Sequence, residues 1–126
     1  MRAVDTNVLV RVISRDEPVQ AAAAERFIEE GAWVSTLVLA EAIWVLRANF
    51  GLSVTELCGA IEMLLNHRDF VLQYPEAVRA ALELFRAKPS LGFSDCLIVE
   101  LARQAGHLPL GTFDRKLARV EGARQL

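Results

Sequence analysis

The chain has 126 residues, 53% of them hydrophobic and 24% charged, and a net charge of −2. That length fits one compact domain over residues 1–126 with a core of its own, and the slight negative charge excludes the global electrostatics of a passive nucleic-acid binder. Apolar content above that of an ordinary soluble domain implies a face for self-association or for a protein partner.

Arg2 to Asp5 reads as a short strand, followed at once by a helix from Thr6 to about Ser14. Asp16-Glu17-Pro18 starts a second helix, proline suiting the first turn, and Gly31 stops it near Glu30. Ala32 to Val34 is the second strand. Ser35 or Thr36 caps a long helix that reaches about Asn49, with Gly51 behind it. Ser53-Val54-Thr55-Glu56 is a capping box for a helix ending near Asn66. Phe70 to Leu72 is the third strand, and Pro75 opens a helix running to about Ala87. Pro89 to Gly92 is a loop, after which Ser94 caps a helix that ends at Gly106. Leu108 to Thr112 is the fourth strand, although Pro109 weakens it. A short helix follows Asp114, and the tail after Gly122 has room for a last edge strand.

No segment reads as a membrane span, because the longest apolar run, Ala32 to Leu46, is broken by Ser35, Thr36 and Glu41. No signal peptide opens the chain, and Cys58 and Cys96 read as buried helical thiols, so the expected compartment is the cytoplasm. His67 and His107 lie far apart near segment ends, which argues against a zinc site.

Short apolar strands alternating with amphipathic helices predict an α/β fold, a parallel sheet with helices on both faces. Ligands of such sheets bind outside the carboxyl ends of the strands. Four acids are placed for that edge. Asp5 ends the first strand and Asp114 follows the fourth. Asp95 stands in the first turn of its helix. Glu41 sits in "LVLAEAIWVL", with Leu37, Val38, Trp44 and Val45 at helical spacing, where a carboxylate is costly unless paired, protonated or bound to a cation. Each acid also has an ordinary role: Asp5 and Asp114 as N-caps, Asp95 as a complement to the helix dipole, Glu41 as the partner of a buried arginine. Glu100, with Arg103 and Gln104 nearby, reads as part of a solvated face.

The joint placement discriminates. Right-handed crossovers bring these strand and helix ends to one edge, so the four acids are expected in one cleft, where they repel one another without a cation. Hard oxygen donors without Cys or His suit Mg²⁺ or Mn²⁺, the equipment of phosphoryl transfer. There is no GxxxxGK loop and no GxGxxG turn. A phospho-aspartyl chemistry on Asp5 lacks a second acid two positions on and a lysine closing the fourth strand.

With these residues the chain resembles a PIN domain, and more narrowly the VapC group of ribonuclease toxins from bacterial and archaeal toxin–antitoxin pairs. The matching segments are "AVDTNVLVRV", "STLVLAEAIWVL", "GFSDCLIVELARQAG" and "LGTFDRKLARV", which follow the family's order and spacing over nearly the whole chain. The resemblance implies a three-layer α/β/α sandwich around a central parallel sheet of four to five strands, with Mg²⁺- or Mn²⁺-dependent endoribonuclease activity. It implies Asp5, Glu41, Asp95 and Asp114 as the catalytic, metal-binding acids. Asn7 matches a position supporting the first acid, and Thr112 one that orients a water or an acid before the last. An RNA substrate, a homodimer and a small antitoxin partner are implied in the same way. Two other readings stand beside this one, a non-cleaving RNA- or protein-binding module and a housekeeping RNA-processing nuclease. Arg11, Arg15, Arg115, Lys116 and Arg119 are either contacts to backbone phosphates or ordinary solvated helix faces.

Overall fold

The computed structural model describes residues 1–126. The chain divides into two compact units, Met1–Pro75 and Glu76–Leu126.

The first unit contains β1 (Arg2–Ala3), α1 (Thr6–Ser14), α2 (Pro18–Ile28), β2 (Ala32–Val34), α3 (Thr36–Phe50), α4 (Val54–Asn66) and β3 (Phe70–Leu72). Its strands pair in parallel in the order β1-β2-β3, with Arg2 opposite Ala32 and Ala32 opposite Phe70. Helical crossovers between strands dictate parallel pairing. Side chains alternate across a strand, so Val34, Phe70 and Leu72 are buried while Trp33 and Val71 face outward. The helices supply most of the core. α1 buries Leu9 and Val10 and packs on α2 and α3. α3 buries Leu39, Ala42, Ile43 and Leu46.

Local chemistry sets the helix ends. Pro18 stands in the first turn of α2, where a missing N–H costs nothing. Ser35 Oγ accepts the Val38 N–H at 3.1 Å to start α3, and Gly51 ends it in the left-handed region at φ +68°, which a residue without Cβ adopts at no steric cost. The capping box of α4 forms as expected, each of Ser53 and Glu56 bonding the other's backbone N–H. Gln73 Oε1, just past β3, accepts from the Thr36 N–H at 3.0 Å and so anchors the start of α3.

The second unit contains most of α5 (Pro75–Ala87), a 3₁₀ turn at Pro89–Leu91, α6 (Phe93–Ala105), β4 (Leu110–Thr112), a 3₁₀ turn at Leu117–Arg119 and β5 (Ala123–Gln125). Phe85 of α5 and Phe93 of α6 meet edge to face with ring centres 6.0 Å apart. β4 and β5 pair in parallel, Leu110 opposite Ala123.

The α/β class and the parallel pairing match expectation, and the edge strand after Gly122 forms. The five strands fall into a three-stranded and a two-stranded sheet rather than one. β1 is cut short because Asp5 already serves as the cap of α1. β4 starts at Leu110, since Pro109 has no N–H to give a ladder. Two further expectations are corrected. Ser94 does not cap α6; Gly92 does, at φ +80° and ψ 149°. Glu100 does not lie on a solvated face; it is 9% exposed, and Arg103 Nε lies 3.1 Å from each of its carboxylate oxygens. Neighbours three and four positions away set which partners a residue can reach, not whether water reaches it. Cys58 and Cys96 are buried, and no helix is long and apolar enough to cross a membrane.

A Cβ at Gly92 would meet nothing within 4 Å, so replacing it tests backbone strain alone. Gly92→Ala should cost about 1–3 kcal/mol, while Gly59→Ala, inside α4 and equally open, should stabilise by roughly 0.5–1 kcal/mol. Urea unfolding of the two variants checks both signs.

Candidate active site

In the first unit the chain leaves β1 and enters α1 through Asp5, an extended residue whose Oδ1 accepts the Val8 N–H at 3.1 Å. This is an N-cap, which fixes one carboxylate oxygen and leaves the acid exposed. Asp5 and Asn7 line one cleft between α1 and α2, of about 510 Å³, shared with Arg11, Gln20 and Phe27. Arg11 is engaged there: its Nε donates to Gln20 Oε1, and its guanidinium lies 3.4 Å from Asp16. Arg15 is ion-paired with Glu25. These two arginines tie α1 to α2.

Glu41 lies in the second turn of α3, and its burial differs from expectation. It is exposed, and so are Leu37 (74%) and Trp44 (64%) on the same helical face. The desolvation argument for Glu41 therefore fails, as does the alternative of a core glutamate meeting a buried arginine. α3 is apolar on both sides, so apolar neighbours do not mark its buried face.

In the second unit Asp95 is the third residue of α6. It is half-buried, in the turn where a negative charge complements the helix dipole. Asp114 follows β4 in a turn held by three hydrogen bonds. Thr112 Oγ1 accepts the Asp114 N–H at 3.0 Å, and Asp114 Oδ1 accepts the N–H groups of Lys116 at 2.8 Å and Leu117 at 2.9 Å. Thr112 thus supports the backbone that presents the last acid. Burial, and after it the charge of Asp114, push the Asp95 carboxyl above the ordinary aspartate value. Asp95 and Asp114 are therefore within reach of each other's charge. No three His, Cys, Asp and Glu side chains are gathered closely enough to hold a metal ion.

A model of the PIN domain family matches residues 2–123. The chain belongs to the PIN domain family. PIN domains are generally nucleases and typically use divalent metals. Comparison with curated proteins gives no match.

The donor chemistry of this PIN domain fits such a metal. Asp95 and Asp114 offer hard oxygen ligands, and the repulsion between them is of the kind a dication offsets.

Because burial outweighs Asp114 in raising Asp95, Asp114→Asn should lower the Asp95 pKa only part of the way to its ordinary value, as followed by carboxyl NMR titration. The sign for stability follows from linkage. Between the ordinary value and the raised one, the folded chain holds a proton that the unfolded chain has lost. Stability contributed by Asp95 is therefore present at lower pH and is lost as pH rises through that window. Metal-free Asp95→Asn should lack this loss and be more stable at neutral pH, by under about 1 kcal/mol because the group is partly screened by solvent.

Proposed function

We propose that this PIN domain is an Mg²⁺- or Mn²⁺-dependent endoribonuclease, the VapC-like toxin of a toxin–antitoxin pair. One observation carries the reading: the chain is a PIN domain over residues 2–123, and in it the half-buried Asp95 carboxyl is raised by burial and by the charge of Asp114, a cost that a bound cation would offset.

In this reading Asp5, Glu41, Asp95 and Asp114 are the residues that would hold the metal. When bound, it supplies Lewis-acid chemistry, lowering the pKa of a water and offsetting charge on the phosphodiester. The chain's own work is positioning. The Val8 N–H holds Asp5. Thr112 and the N–H groups of Lys116 and Leu117 hold Asp114. Asn7 shares a cleft with Asp5, and in this reading it is the polar group that supports that acid. Leu37 and Trp44, exposed beside Glu41, and Phe113, exposed beside Asp114, are apolar groups suited to a second copy of the chain or to an antitoxin segment. A cytoplasmic location accords with both partners.

Purified protein should cut RNA when Mg²⁺ or Mn²⁺ is present and stop when a chelator is added. Asp95→Asn keeps the side-chain shape and should lower the cleavage rate by about 100-fold or more. Cutting by that variant at the wild-type rate would remove Asp95 from the site. For the toxin role, expression should arrest growth, and a small DNA-binding protein encoded beside the gene should relieve the arrest.

A further inference from the structure

The chain has 14 lysine and arginine residues, of which only Lys88 and Lys116 are lysines. Both line a single cleft of about 400 Å³ in the second unit, together with Arg119, Pro89 and Ser90. No acidic side chain lines it. None of the three cations is ion-paired, whereas Arg11, Arg15, Arg79, Arg86 and Arg103 each have a carboxylate within reach. Like charges around one concavity repel, and the nearest acid, Asp114, bonds the backbone N–H groups of Lys116 and Leu117 rather than any of these three cationic groups.

The walls are built. Leu91 N–H bonds the Lys88 carbonyl at 3.1 Å and Gly92 N–H the Pro89 carbonyl at 3.3 Å, fixing one turn. Arg119 N–H bonds the Lys116 carbonyl at 3.2 Å, fixing the other. Each wall runs directly into a candidate acid. The first continues through Gly92 into the α6 turn that carries Asp95, and the second begins at Asp114, whose carboxylate caps it. Arg115, although it adjoins Lys116 in sequence, does not line the cleft.

We propose that Lys88, Lys116 and Arg119 form a subsite for a backbone phosphate of single-stranded RNA, next to the phosphodiester that is cut. The inference rests on the ribonuclease reading for the identity of the strand, and it adds an anchor point away from the reacting bond. The chemistry suits phosphate oxygens: two compact ammonium charges and one guanidinium fork. Such an anchor sets the register of the strand without reading its sequence.

Binding of a short single-stranded RNA, with chelator present so that nothing is cut, is measured across roughly 50–200 mM salt. Lys88→Gln/Lys116→Gln/Arg119→Gln should make the plot of log affinity against log salt shallower by about 0.7 for each phosphate that is no longer neutralised. A charge-matched control in ion-paired arginines, Arg68→Gln/Arg79→Gln/Arg86→Gln, should keep the wild-type slope. A second measurement needs no variant. RNA should shield Lys88 and Lys116 from an amine-acylating reagent while the Met1 amino group still reacts. An unchanged slope in the first variant, an equal change in the control, or equal labelling of the lysines with and without RNA would each overturn the subsite. Metal-dependent cutting with unshielded lysines removes the subsite and leaves the nuclease reading intact. Shielding and slope change without any cutting remove the nuclease reading and keep the subsite.

Discussion

A helix begins with backbone N–H groups that no residue within it can accept. This chain meets that demand at α1 with a carboxylate just past a strand, and it uses a second such carboxylate to close a turn. Asp5 closes the entry to α1, and Asp114 closes the turn after β4. In each case the bonds engage Oδ1, which leaves the second oxygen available to a ligand. The bond that starts the helix also aims the acid. A cap and a metal ligand are thus compatible uses of one side chain, and the rigidity a site needs comes from the same interaction that the fold needs.

Much of this is legible in the sequence because it is local. Pro18, Gly51 and the Ser53–Glu56 box act over one turn, and their effects appear where the residues stand. What escapes is tertiary. Nothing in "LVLAEAIWVL" tells which side of an apolar helix faces solvent, so the pattern around Glu41 points to the wrong one. Glu100 misleads in the opposite direction, because Arg103 can pair with it in the dry as well as in water. Ser94 is the better capping residue by type, yet Gly92 holds that position because the turn before α6 needs a backbone only glycine adopts readily. Division of the strands between two sheets is equally out of reach, since strands of two or three residues carry little pattern. The conjunction of Asp95 and Asp114 is legible as a consequence of strand–helix order, but its electrostatic effect depends on burial that only the fold supplies.

A net charge of −2 hides an uneven distribution. Arg11, Arg15, Arg79, Arg86 and Arg103 each sit within reach of an acid, so their charge is offset at short range. Lys88, Lys116 and Arg119 line a cleft without an acid in its walls. A polyanion approaching this protein meets a local field rather than a global one, and such a field acts over about a Debye length, roughly 8–10 Å in physiological salt. Lysine and arginine totals read from a sequence do not separate charges that hold helices together from charges that remain for a ligand.

The exposed stripe of Leu37, Glu41 and Trp44 couples two events that look separate. A macromolecule covering the two apolar side chains also takes the carboxylate between them out of water. Removing that solvation is unfavourable unless a cation or hydrogen-bond donor replaces it. Occupancy of α3 by a partner and occupancy of Glu41 by a counter-charge are therefore thermodynamically linked, and linkage is reciprocal. Whatever strengthens one strengthens the other when the counter-charge stays, and a partner that brings its own cation to Glu41 would compete there with the metal of the proposed site.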